Sequence, residues 1–137
     1  MQSEINKAAV IRFNKEVIEK GNIQSFSELM DPEFKNRTAM PGANDGPEGM
    51  LHTFNEVLRP AFPDMVVEIY DQVAEDDRVC TRKTIHATHT GSFMGIPATG
   101  KKIKVDVIDI VRLRDGRYLE HWGINTLSTV IAQLKST

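Results

Sequence analysis

The sequence predicts an α+β fold in which helices come first and a curved run of antiparallel strands follows. Three observations predict it. Apolar residues recur at helical spacing over much of the first sixty positions. Strand-like stretches then fill 65–125 with no helical pattern between them. Asp115-Gly116 joins the last two stretches as a strong hairpin signal. Runs of helix followed by runs of strand point to α+β rather than to alternating α/β. A long curved sheet with helices against one face makes a cone closed at one end, a natural place for a small-molecule cavity.

Each element has its own signal. A first helix is expected over 3–20: Ser3 caps it, Glu4 suits the positive end of the dipole and Gly21 stops it. Ile5, Ala9, Phe13, Val17 and Ile18 form its apolar stripe. A second short helix is expected over 22–30, closed by an Asp31-Pro32 turn. Residues 34–39 read as a short strand, and the glycine- and proline-rich MPGANDGPEG reads as a loop. The next helix should span 47–58, with Met50, Leu51, Phe54 and Leu58 inward. Four strands follow over 65–74, 78–90, 101–114 and 117–125, and 126–134 closes the chain as a helical turn or short helix.

The bulk properties narrow the function classes. A chain of 137 residues fits one domain, 1–137, since domains most often run about 100–150 residues. A formal charge of −2 gives no basic surface for nucleic acid or an anionic membrane. Cys80 is the only cysteine, so there is no internal disulfide and no multi-cysteine zinc site; its strand setting makes it a core or wall residue. His52, His86, His89 and His121 lack the close helical spacing of a metalloprotease motif, so no metal is expected. The N-terminus has no signal-peptide pattern and no stretch could span a bilayer, which makes the cytoplasm the default location.

The segment VDVIDIV carries the sharpest functional hint. Read as a strand, Val105, Val107, Asp109 and Val111 share one face with Ile103, so a carboxylate sits on an oily side. A plain two-residue Asp-Gly turn sets Asp109 opposite Trp122; a one-residue bulge sets it against His121 or Gly123. If the odd positions of the last strand face inward, the cavity holds Asp109, His121 and Asn125 among Val105, Val107, Val111 and Leu119. A carboxylate and an imidazole in a dry cleft are the usual equipment for general acid–base work. The alternative is that Asp109 accepts hydrogen bonds from His121 or Trp122 and only fixes the sheet. On the preceding strand Arg82 and Thr84 share parity with His86, and an inward Arg82 could hold an anionic or carbonyl oxygen. Phe93, Met94 and Ile96 sit in a flexible loop, as a lid over the cavity mouth or as packing beneath the loop.

Several segments together resemble a known family: RPAFPDMVVEI (59–69), DDRVCTRKTIHATHTGSFMGIPATGK (76–101), DIVRLRDGRYLEHWG (109–123) and the closing QL (133–134). The combination is similar to the SnoaL-like polyketide cyclases, also called ester cyclases, of the NTF2-like superfamily. The resemblance covers nearly the whole chain. It implies an NTF2-like cone-shaped barrel: a curved mixed or antiparallel sheet with the N-terminal helices on its concave face, dimerised through the outer face. It also implies aldol-type ring closure of a polyketide ester by acid–base residues, without metal or cofactor. Family cyclases carry a histidine near the middle of the penultimate strand and an aspartate directly after the last strand's Trp. Those positions are Asp109 and Gly123 here, so both depart from the pattern, and the resemblance implies that both face the cavity.

Three functions follow as expectations. The first is a cofactor-free cyclase or isomerase acting on an apolar carbonyl compound, with Asp109 and His121 catalytic. Asn125, Arg82, His86, Val107, Trp122, Phe54 and Met94 are its expected substrate contacts. The second is a non-catalytic small-molecule-binding or dimerisation protein with the same cavity. The third is epoxide hydrolysis, for which an Asp–Arg–Asp arrangement is needed and only one inward Asp is expected.

Overall fold

The computed structural model describes residues 2–136. Its core is a five-stranded mixed sheet in the order β1-β5-β4-β3-β2. The strands are β1 (Met30–Asn36), β2 (Val66–Glu75), β3 (Arg78–Thr88), β4 (Lys102–Arg114) and β5 (Arg117–Asn125). β2 to β5 pair antiparallel, and β1 lies parallel to β5 at the edge. The helices are α1 (Gln2–Arg12), α2 (Ile23–Leu29), α3 (Pro47–His52), α4 (Arg59–Ala61) and α5 (Leu127–Lys135). Among the described residues no helix is long and apolar enough to cross a membrane.

The first helix starts earlier than its sequence signals suggest. Gln2 is already helical, so Ser3 lies inside the helix and does not cap it. α1 runs directly into a π-helical segment, Phe13–Glu19, whose wider turns shift the inward face. The buried side is Asn6, Val10, Phe13, Asn14, Val17 and Ile18, while Ile5 is exposed. The end of this segment is closed by a side chain from elsewhere: the Arg59 guanidinium donates to the carbonyls of Val17, Ile18 and Glu19. Gly21 (φ +69°) turns the chain there, and a Cβ on it would lie 2.7 Å from Arg59 Nε.

Asn22 caps α2 by accepting from the Ser25 N–H at 3.0 Å. Asp31-Pro32 does not make the expected turn. The chain continues through it as β1, which therefore covers 30–36 rather than 34–39. An edge strand can hold proline because the missing N–H is not needed on the open side. Asp31 is instead fixed by Arg114, with Oδ2 2.9 Å from Nη2.

Two apolar clusters build the interior. One joins the first helix and α2 to the sheet through Val10, Phe13, Val17, Phe26, Leu29, Val67, Val79, Val111 and Tyr118; Phe13 stacks on Tyr118 at 4.2 Å. The other joins α4 and α5 to the far end through Ala61, Phe62, Ala87, Phe93, Ile103, Val130 and Leu134. The cavity opens between them.

Candidate functional site

Alternation along the strands decides what reaches this cavity. On β4 the inward residues are Ile103, Val105, Val107, Asp109, Val111 and Leu113, as the sequence suggests. Asp115 (φ 54°) and Gly116 (φ 75°) form the two-residue turn, which pairs Arg114 with Arg117. A bulge at Leu119 of β5, opposite Arg112 and Leu113, then shifts the register, leaving Val111 opposite His121 and Asp109 opposite Gly123. The same bulge turns Tyr118 into the core beside Leu113, in place of the expected Leu119.

On β3 the inward set is Val79, Thr81, Lys83, Ile85 and Ala87. Arg82 and His86 therefore face the opposite side, outside the cavity: Arg82 pairs with the exposed Asp71 and His86 with the exposed Glu68. Trp122, paired with the exposed Ile110, also lies on that outer face. These three expected contacts lie outside this cavity for one reason: strand parity around them is the reverse of what an inward role requires.

The cavity is about 290 Å³, and Val107, Phe54, Met94 and Asn125 line it, as the sequence anticipates. Its wall is mostly aliphatic and aromatic, with polar groups gathered at Lys83, Asp109, His121, Asn36 and Asn125. The loop after β3 closes one side. Thr90 and Gly91 donate their N–H groups to the Ala61 carbonyl, and Phe93 is buried in the wall while Met94 stays 70% exposed at the mouth. The loop is thus both packing and rim. His89 is fully buried at its base, its Nδ1 held by the Thr99 N–H and hydroxyl.

The polar cluster is tightly connected. Asp109 Oδ2 lies 3.3 Å from His121 Nε2 and 3.4 Å from Lys83 Nζ. Asp109 Oδ1 is buried and has no partner. Lys83 donates to Asn14 Oδ1 at 2.6 Å, and the Asn14 amide is oriented by its own donation to the Val10 carbonyl at 2.8 Å. His121 Nδ1 meets Asn36 Oδ1 at 3.0 Å. That oxygen also accepts from the Thr38 N–H, which fixes it as an acceptor, so Nδ1 is the donor. Both ring nitrogens therefore face oxygen atoms, Asn36 Oδ1 on one side and Asp109 Oδ2 on the other. Burial raises the Asp109 carboxyl, but the charges of Lys83 and His121 outweigh it and leave the group below its ordinary value.

Gly123 makes this arrangement possible. A Cβ at that position would lie 2.9 Å from His121 Cε1 and 3.4 Å from Asp109 Cβ. The imidazole occupies the space that a side chain at 123 would take, and from there it reaches Asp109. Lys83, Asn14 and Asn36 were missed in the sequence. For Lys83 a signal existed: it shares strand parity with the apolar Val79, Ile85 and Ala87. The two asparagines gave none, since they reach the cluster from a π-helical segment and from the end of an edge strand. Among the described residues no group of three or more His, Cys, Asp or Glu side chains could hold a metal.

Comparison with known proteins agrees with this architecture. The chain is similar in structure to TsrD from Streptomyces laurentii, with 25% identity, a TM-score of 0.84 and coverage of 98% of this chain and 97% of that one. It is similar to IdmH, a proposed polyketide cyclase from Streptomyces antibioticus: 29% identity, TM-score 0.82, coverage 96% and 99%. A proposed polyketide cyclase from Acidithiobacillus ferrooxidans gives 27% identity, a TM-score of 0.82 and coverage of 96% and 94%. No curated protein sequence matches the chain. The family model for SnoaL-like polyketide cyclases matches residues 8–134, and on that match the chain belongs to the SnoaL-like polyketide cyclase family.

Proposed function

We propose that the chain is a cofactor-free acid–base enzyme acting on a small apolar carbonyl compound bound in the cavity, by aldol-type ring closure or isomerisation. One observation carries the reading: a buried carboxylate with one free oxygen, touching an imidazole, on the wall of an apolar cavity. Asp109 Oδ1 takes the proton from the carbon beside the carbonyl, leaving an enolate. In ring closure the enolate carbon attacks a second carbonyl, and His121 gives its Nε2 proton to the resulting alkoxide. Rotation of the Asp109 carboxyl about its Cβ–Cγ bond then carries that proton from the Oδ1 position to the Oδ2 position, 3.3 Å from His121 Nε2, where it returns to the ring and the pair is reset without a co-reactant. Asp109 thereby supplies the carboxylate that the family carries one strand over, and Gly123 makes room for its partner.

Proton abstraction can be followed without the natural substrate. 2-Tetralone in D₂O should exchange its C1 protons faster with the protein than without it, as read by NMR. Asp109→Asn, nearly isosteric, should lower that rate about 10²–10⁴-fold with the fold intact. Full exchange by Asp109→Asn would sink the reading. Ligand binding without exchange would favour the non-catalytic binding protein instead.

The outer sheet face bears Val66, Tyr70, Val73, Ile108, Ile110 and Ile124, all exposed. Such an apolar patch supports a homodimer formed through this face.

A further inference from the structure

Lys83 remains unexplained by a carboxylate–imidazole pair. It is the only lysine or arginine lining the cavity among the described residues, and its side chain is 5% exposed. An ammonium has three donors. One is committed to Asn14 Oδ1, whose position is fixed by the Val10 carbonyl, and one faces Asp109 Oδ2. The third is uncommitted, and so is the Oδ1 lone pair of Asp109. Both residues line the cavity, so one cationic donor and one anionic acceptor lie side by side in its wall.

We propose that Lys83 is the oxyanion-binding group of this site, pairing with Asp109 at rest and with the substrate's enolate oxygen after proton transfer. This rests on the proton-transfer reading above and deepens it. When the α-proton moves to Asp109, one C–H bond breaks, one O–H bond forms, and the electron pair relocates to the carbonyl oxygen. The carboxylate is then neutral, and a buried ammonium without a counter-charge is costly. The enolate oxygen restores the pairing, so the cation stabilises charge where it develops rather than where it starts. The substrate class follows: an apolar ketone or ester whose carbonyl oxygen sits beside an acidic C–H, or its enol or phenol form.

The test uses 2-naphthol, the aromatic counterpart of the 2-tetralone enol, whose absorption distinguishes phenol from phenolate. At neutral pH, where free 2-naphthol is un-ionised, wild-type protein should bind it as naphtholate. Lys83→Met should bind it only as neutral naphthol and exchange 2-tetralone about 100-fold more slowly. Lys104→Gln, on an exposed position of the outer face, should match wild type in both assays. Neutral naphthol in the wild-type cavity, or no binding, overturns the proposal even if Lys83→Met does not fold. Naphtholate without any 2-tetralone exchange would remove the catalytic reading and leave Lys83 as an anion-binding residue. Exchange with neutral naphthol would keep Asp109 and His121 and remove this role for Lys83.

Discussion

Arg82 and Lys83 are adjacent cations on one strand, each close to an aspartate, yet they live in different solvents. Arg82 sits on the outer face, 3.3 Å from the exposed Asp71, in water. Lys83 sits on the inner face, 3.4 Å from Asp109, with both side chains almost fully buried. The distances are nearly equal. The energies are not, because water screens one pair and the low-dielectric interior leaves the other unscreened. A single step along β3 therefore separates a surface ion pair of little consequence from a charge cluster around which a reaction can be organised.

The largest expected effect comes from breaking the inner pair on one side. Lys83→Met should cost about 3–5 kcal/mol in urea unfolding, because it leaves a buried carboxylate short of its cation. Arg82→Met should cost about 0–1 kcal/mol. Equal losses would mean that the two faces do not differ as described.

Next in size is an alkaline effect confined to the inner face. Burial, reinforced by the Asp109 charge, pushes the Tyr118 hydroxyl well above its ordinary 10.0. Because the folded value is the higher one, this contribution is complete below pH 10 and is lost as pH rises toward the folded value. Across that window stability falls by roughly 1.4 kcal/mol for each further pH step of one. Tyr118→Phe keeps the stacking on Phe13 and should flatten the alkaline limb of a melting-temperature profile; an unchanged limb would contradict this.

A smaller effect should appear at Gly123. Adding one methyl group in Gly123→Ala pushes the imidazole away from Asp109, and 2-tetralone exchange should fall about tenfold, ~1.4 kcal/mol in barrier. Thermal stability should fall by less than in Lys83→Met, since Lys83 still pairs with the buried carboxylate. The pH dependence of exchange sharpens the point. Asp109 is held below its ordinary 3.8, so its carboxylate form, and the stability tied to it, persists until pH falls through that lowered value.

The smallest effect on folding is expected from the outer patch. Ile124→Glu, at a residue 72% exposed, should move stability by no more than about 0.5 kcal/mol. If the homodimer proposed through this face forms, the substitution should nonetheless leave a monomer in light scattering where the unaltered protein is a dimer. An unaltered oligomeric state would remove this face from assembly.

The sequence alone determined the element order, the Asp-Gly hairpin and the inward face of β4, because each is written in local chemistry. Helical spacing, period-two alternation and a turn dipeptide act over a few residues. It also marked Asp109, His121, Val107, Phe54, Met94 and Asn125, which do line the cavity. What it could not determine depended on atoms far apart in the chain. The bulge opposite Arg112 and Leu113 decided whether His121 or Trp122 faced inward, and it set Tyr118 rather than Leu119 in the core. The parity of β3 decided between Arg82 and Lys83, and charge alone does not distinguish them. Asn14 and Asn36 joined the cluster only because a π-helical segment and the end of an edge strand converge on β3 and β5. Register and convergence are set by burying the whole apolar face at once, a property of the packed sheet that no short stretch of sequence contains.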